Sequence, residues 1–295
     1  LRGLREAKAL GLPVRFIEMG NELYFNLKLE VARFPTPEDY GKTCFEWIQA
    51  IKKEFPEAKC AVVSWEAVRS ERHKNWTERV LTYATNADAV VFHVYTPFGL
   101  GGGRERSNNQ AGQEGLTAGD TLSKDPVLRQ QQELALIQQP AVWQQVLHTA
   151  DEAALKFKGM RVPSEKAIWA TEFNVRADNS AIRGTWANTL FILRFYNHFL
   201  AAPQVQLTHY HNIQGTPFGA YFSNEDGFRH VKTANLKSTP GALTAGGLAI
   251  HLMATASKGA NRATAIELTP GNGETGNIMG WLFEGKKSCM ILVNN

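Results

Sequence analysis

The chain has 295 residues, with 32 basic and 28 acidic side chains and a net charge of +4; 43% of its residues are hydrophobic and 20% are charged. A length above the usual span of about 100–200 residues per domain fits one large domain or two smaller ones, and these fractions exclude a disordered or fibrous chain. No apolar run is long enough to cross a membrane, the slight charge points to no nucleic-acid partner, and Cys44, Cys60 and Cys289 are too few and too scattered for a disulfide framework or a zinc finger.

Leu1 to Leu10 reads as a helix stopped by Gly11, and Val14 to Met19 as a strand cut off by Gly20-Asn21-Glu22. Thr36-Pro37-Glu38-Asp39 is a helix start: a capping hydroxyl, proline at the first helical position and acids in the first turn. Tyr40, Cys44, Trp47, Ile48, Ile51 and Phe55 recur at helical spacing and give that helix a buried face. Cys60 to Trp65 is a second strand, Asn75 to Ala84 a helix, and Ala89 to Tyr95 a third strand. Thr96 to Leu122 is a glycine-rich polar loop. Its Gly99-Leu100-Gly101-Gly102-Gly103-Arg104 matches neither a dinucleotide fingerprint nor a P-loop and reads as a rim or lid. Asp125 to Lys158 is helical with a break at Pro140, Ala167 to Glu172 a fourth strand, Thr185 to Ala201 a helix and Val205 to Ile213 a fifth strand. Thr239-Pro240 opens a helix towards Ser257. From Ala263 the pattern turns to β alternation, with turns at Pro270 to Thr275 and Glu284 to Lys287.

Short apolar strands alternating with helices predict parallel βα units buried on both faces. Five is an awkward number of them. Polar and aromatic residues crowd the C-terminal end of each strand, where a (β/α)₈ barrel places its active site.

Two strands end in an isolated glutamate: Ile17-Glu18-Met19-Gly20-Asn21-Glu22 and Ile168-Trp169-Ala170-Thr171-Glu172. A carboxylate after an apolar strand either sits at the mouth or pairs, and two at one mouth suit glycoside hydrolysis. On the strand between them, His93 and Tyr95 are two apart and share a face, from which they could orient a carboxylate or contact sugar hydroxyls.

Gly20-Asn21-Glu22, His93-Val94-Tyr95 and Thr171-Glu172-Phe173, in that order, resemble glycoside hydrolase clan A. Within it they are most similar to the family 51 α-L-arabinofuranosidases, with the family 39 xylosidases next. The resemblance implies that Glu22 is the acid/base, Glu172 the nucleophile, and Asn21 the side chain that holds the sugar 2-hydroxyl. It places His93 and Tyr95 on the sixth barrel strand, with Tyr95 supporting the nucleophile. It makes the five predicted strands numbers four to eight, so that strands one to three are expected upstream of Leu1. Residues 1–258 would then be the C-terminal part of the barrel, and residues 259–295 the beginning of a β-sandwich.

The eighth strand carries His209-Tyr210-His211 where many clan members have a tryptophan, so these residues are candidate sugar contacts, and Trp65 is either a stacking platform or core. The resemblance implies a carbohydrate substrate, no cofactor or metal, and an extracellular or periplasmic setting. Two other readings stay open. An inactive or carbohydrate-binding barrel would keep the fold without turnover. A metallohydrolase would use the His209-x-His211 pair, which falls on the last strand rather than the first. A retaining pair requires carboxyl groups about 5–5.5 Å apart, against about 6.5–9.5 Å for an inverting one.

Overall fold

The structure is a computed structural model that describes residues 1–98, 123–176, 182, 184–214, 218–222, 239–268 and 278–294. The predicted glycine-rich loop and the turn at Pro270 to Thr275 lie outside the described residues, apart from the first residues of that loop. No described helix is long and apolar enough to cross a membrane.

The chain divides into two compact units. The first comprises Leu1–His93, Leu155–Thr171 and Ala202–His209, and the second Val94–Ala154, Glu172–Ala201 and Tyr210–Asn295.

The first unit is built on a parallel sheet of β1 (Phe16–Glu18), β2 (Lys59–Val63), β3 (Ala89–Thr96), β4 (Ala167–Val175) and β5 (Val205–Thr208), in that spatial order. β3 and β4 begin in this unit and end in the second. Strict sequential order with parallel pairing is that of a singly wound sheet, as in part of a (β/α)₈ barrel; a doubly wound sheet reverses direction part-way. The five predicted parallel strands are therefore all present.

Cys60 to Val63 of β2 and Ala89 to Phe92 of β3 are buried, as expected of parallel strands covered on both faces. At the edge, β1 is only three residues long and Phe16 is 56% exposed. Ala61, Ala89, Val91, Ala167 and Trp169 form one apolar cluster, with Leu207 packed against it.

Of the flanking helices, α1 spans Arg2–Ala9, α2 Lys28–Arg33, α3 Pro37–Glu54 and α4 Trp76–Tyr83. α2 has no counterpart in the sequence reading, since six residues are too few to show a helical period. The predicted start of α3 holds: Thr36 Oγ1 accepts from Asp39 N at 3.2 Å and Asp39 Oδ2 accepts from Thr36 N at 3.2 Å, a reciprocal capping box. From α3, the fully buried Tyr40 donates its hydroxyl to Met19 O at 3.0 Å and accepts from Val63 N at 2.9 Å. One side chain thus ties the C-terminal ends of β1 and β2.

The second unit contains α5 (Pro126–Ile137), α6 (Pro140–Ala154), α7 (Trp186–Leu200) and α8 (Ala245–Ser257). The predicted break at Pro140 falls where α6 begins, since proline ends one helix and fits the first position of the next. Helix α7 is buried along nearly its whole length, including Arg194, whose guanidinium makes a two-pronged pair with Asp151 of α6 at 2.7 and 2.8 Å. His198 Nε2 donates to the same carboxylate at 2.7 Å.

Two predicted boundaries are corrected. The single strand expected over Val205 to Ile213 is two: β5 ends at Thr208, and β6 (Asn212–Gln214) pairs instead with β7 (Gly219–Tyr221). The last bond to β4 is His209 N to Ala170 O at 2.8 Å, after which the chain turns away. The helix expected from Thr239 begins at Ala245. Gly241 adopts a left-handed φ of 78°, and Thr244 caps the helix by accepting from Gly247 N at 2.9 Å. The β-rich tail is an antiparallel sheet of β8 (Ala260–Leu268), β9 (Ile278–Gly285) and β10 (Cys289–Asn294), with Trp281, Phe283 and Val293 buried.

Candidate active site

In the first unit, Glu22 follows β1 on a turn whose backbone is unusual. Gly20 has a φ of 107°, and Glu22 itself has a φ of 46°, a left-handed conformation that a residue with a Cβ adopts at a cost of about 1–3 kcal/mol. Such a conformation persists only where the surroundings over-determine it. Here they do so at several points. Tyr24 Oη donates to Glu22 Oε1 at 2.8 Å, and His93 Nδ1 lies 3.1 Å from the same oxygen. His93 Nε2 is 3.1 Å from Thr171 Oγ1. His93 therefore connects the β1 turn, β3 and β4 within this unit.

The backbone after Glu22 is gripped from the segment between β2 and α4. Arg72 donates to the carbonyls of Leu23 (2.7 Å), Tyr24 (2.8 Å), Phe25 (3.1 Å) and Phe34 (3.0 Å), and its guanidinium lies 4.8 Å from the centre of the Trp76 ring. His73 Nε2 is 2.7 Å from Tyr24 O, and its Nδ1 is 2.9 Å from Ser70 Oγ. A carbonyl only accepts, so Nε2 bears the proton and Nδ1 accepts from the serine. Burial, chiefly, holds the His73 pKa below its ordinary value and keeps the ring in that neutral state.

In the second unit, Glu172 lies inside the regular strand β4. Tyr95 Oη, near the end of β3, donates to Glu172 Oε2 at 2.9 Å, and His211 Nε2 is 3.7 Å from Glu172 Oε1. Phe218 packs on the Tyr95 ring at 4.8 Å between centroids and on the His211 ring at 5.4 Å. His211 Nδ1 is buried without a hydrogen-bond partner among the described residues.

The remaining predicted residues divide clearly. Trp65 is half-buried and stacks on Tyr24 at 4.1 Å with 22° between the rings, with the Arg69 guanidinium 5.0 Å from its ring centre. Asn21 and His209 are exposed. Tyr210 accepts from Asn174 Nδ2 at 2.8 Å and lies so close to α8 that a Cβ on Gly246 would sit 1.9 Å from its hydroxyl. Of the trio His209, Tyr210 and His211, His211 lies 3.7 Å from a candidate catalytic carboxylate. Among the described residues neither His209 nor His211 belongs to a cluster of three side chains able to hold a metal.

Sequence reasoning missed Tyr24, Arg72, His73 and Thr171. Tyr24 and Thr171 stand within two residues of the glutamates and were open to notice. Arg72 and His73 act through a tertiary approach and leave no local signal.

No protein-family model matches the sequence, and no curated protein does. Among solved structures, the chain is similar to a family 51 α-L-arabinofuranosidase from Bifidobacterium longum. The TM-score is 0.51 at 13% identity, over 96% of this chain and 56% of that one. The likeness is one of fold. Similar too are a family 51 α-L-arabinofuranosidase from Thermotoga petrophila (TM-score 0.48, 15% identity, 96% and 55% of the two chains) and a family 39 enzyme from Xanthomonas axonopodis pv. citri (TM-score 0.48, 15% identity, 97% and 50%). The chain spans about half the length of each of these structures. The fold likeness extends over 96% of this chain.

Proposed function

We propose that this chain is the catalytic part of a retaining glycoside hydrolase of the arabinofuranosidase type. Residues 1–258 form strands four to eight of a (β/α)₈ barrel, and residues 259–295 begin a β-sandwich. The observation that carries the reading is that each of these two glutamates has one carboxylate oxygen held by a tyrosine hydroxyl, Glu22 by Tyr24 at 2.8 Å and Glu172 by Tyr95 at 2.9 Å. The donor is buried in the case of Tyr24 and half-buried in that of Tyr95, and an acid and a nucleophile both need a fixed carboxyl.

In the proposed mechanism Glu172 attacks the anomeric carbon as the bond to the leaving oxygen breaks, and Glu22 gives that oxygen its proton. Glu22 then takes a proton from a water that displaces Glu172 from the anomeric carbon, releasing the sugar with retained configuration. Asn21 would hold the 2-hydroxyl, and Trp65, His93, Tyr95, His209, Tyr210 and His211 would line the sugar site. The mechanism uses no cofactor or metal. The substrate class is plant or algal oligosaccharide and polysaccharide, and the setting extracellular or periplasmic.

The test is trapping. A 2-deoxy-2-fluoro glycoside with an activated leaving group forms a stable glycosyl-enzyme on a retaining nucleophile, and peptide mass mapping locates it. Label on Glu172 is expected. Label on another residue, or sugar binding with neither turnover nor label, would overturn the reading in favour of another mechanism or a binding barrel. A crystal structure should also place the Glu22 and Glu172 carboxyl groups about 5–5.5 Å apart.

A further inference from the structure

Glu22 sits on a turn, and a turn with a left-handed residue does not by itself hold a carboxyl group still. Tyr24 and His93 both reach Glu22 Oε1, and Tyr24 is the nearer, at 2.8 Å against 3.1 Å. We infer that Tyr24 is the positioning residue for the general acid, fixing the Glu22 carboxyl for proton transfer; the inference rests on Glu22 acting as the acid/base.

Tyr24 is immobilised at three places. It is 2% exposed, with its ring stacked on Trp65 at 4.1 Å and edge-on to Trp76 at 6.5 Å. Its carbonyl accepts from Arg72 Nη1 at 2.8 Å and from His73 Nε2 at 2.7 Å. Its hydroxyl is left at the end of a rigid plate, 2.8 Å from Glu22 Oε1. A phenol held this way adds a directional bond to the carboxyl at no further entropic cost, because two rings and two backbone contacts have already ordered it. Trp65 then supports Tyr24. The Arg72–His73 pair anchors the backbone that carries it, and the turn that gives Glu22 its left-handed φ of 46° is held before it at Met19 O by Tyr40 and after it at Leu23 O by Arg72.

A donor of this kind affects the step in which Glu22 gives up its proton, and that step matters only when the leaving group needs one. The experiment compares Tyr24→Phe and Glu22→Gln with the unsubstituted protein on aryl α-L-arabinofuranosides of rising leaving-group pKa. The quantity read is kcat/KM, which reports the glycosylating half-reaction. Tyr24→Phe should lose about 10- to 100-fold on poor leaving groups, the equivalent of one hydrogen bond to a charged group, and less than about threefold on 2,4-dinitrophenolate, which departs unprotonated. Glu22→Gln should show the same trend with a steeper slope and a larger loss on poor leaving groups. A uniform loss across the series in Tyr24→Phe, beside a sloped one in Glu22→Gln, would overturn the role of Tyr24 and leave that of Glu22 standing. A flat response in Glu22→Gln would overturn the acid assignment itself and the inference with it. A crystal structure of Tyr24→Phe gives a reading that needs no turnover. The Glu22 carboxyl should leave its place 3.1 Å from His93 Nδ1, and an unchanged carboxyl would overturn the inference.

Discussion

Glu22 and Glu172 are held by different means. Glu172 belongs to a nine-residue strand whose ladder fixes its backbone, and only its side chain needs partners, Tyr95 and His211. Glu22 lies beyond a three-residue strand, on a turn with two left-handed residues, and its backbone as well as its carboxyl must be held from elsewhere. Glu172, the proposed nucleophile, is preorganised by secondary structure. Glu22, the proposed acid, depends on Tyr24, Arg72 and His73, so its placement is the more easily lost.

Substitutions test this contrast, and the largest effect is chemical. Glu172→Gln should lower kcat/KM by on the order of 10⁴-fold while leaving the denaturation midpoint within about 1 kcal/mol of the parent, because the strand does not depend on that carboxyl. A large loss of stability would show that Glu172 is structural. Steady-state kinetics and a urea melt decide it.

Next comes the ion network of the second unit. Asp151→Ala leaves the buried Arg194 unpaired and should cost about 3 kcal/mol, read as a fall in the urea midpoint. The same pair sets an acid limit. Burial, the largest influence on Asp151, would raise its pKa, but the hydrogen bonds from His198 and Arg194 outweigh it and hold the carboxyl below its ordinary value of 3.8. A pKa depressed by folding contributes stability that is fully present above the unfolded value and is lost as pH falls through the folded one. Melts below about pH 4 should therefore show the parent losing stability more steeply than Asp151→Ala.

Tyr95→Phe removes the phenol that bonds Glu172 and should slow turnover by about 10- to 100-fold with little change in stability. An unaffected rate would mean that the strand alone positions the nucleophile, sharpening the contrast with Glu22. The smallest effect is expected at the turn itself. Gly20→Ala forces a Cβ onto a φ of 107° and to within 2.8 Å of Leu23 Cδ1, and it should cost about 1–2 kcal/mol, shared between the melt and the rate on substrates that need protonation. A rate unchanged on those substrates would show that the turn tolerates distortion without moving Glu22.

Much was legible along the chain wherever the physics is local. Cys60 to Val63 and Ala89 to Phe92 read as buried parallel strands because each is an unbroken apolar run between turn residues. Thr36-Pro37 marked a helix start because capping is settled within four residues. The glutamates Glu22 and Glu172, with His93 and Tyr95, stood out because a carboxylate or an imidazole at the end of an apolar strand needs a reason to be there. Where the outcome depended on distant partners, the reading stopped short. β5 ends at Thr208 because pairing with β4 gives out there, and no residue between Val205 and Ile213 announces it. His211 comes within 3.7 Å of Glu172, a placement that three consecutive side chains cannot reveal by themselves.

By itself, then, the sequence determined the succession of strands and helices and the chemical types at the strand ends, because these follow from periodicity, capping and the cost of burying charge. Only the tertiary structure decided that His93 meets both Glu22 and Thr171, and that Arg72 and His73 hold the turn between β1 and α2. Hydrogen bonds across some fifty to eighty residues of sequence depend on how the elements pack, and no local pattern records them.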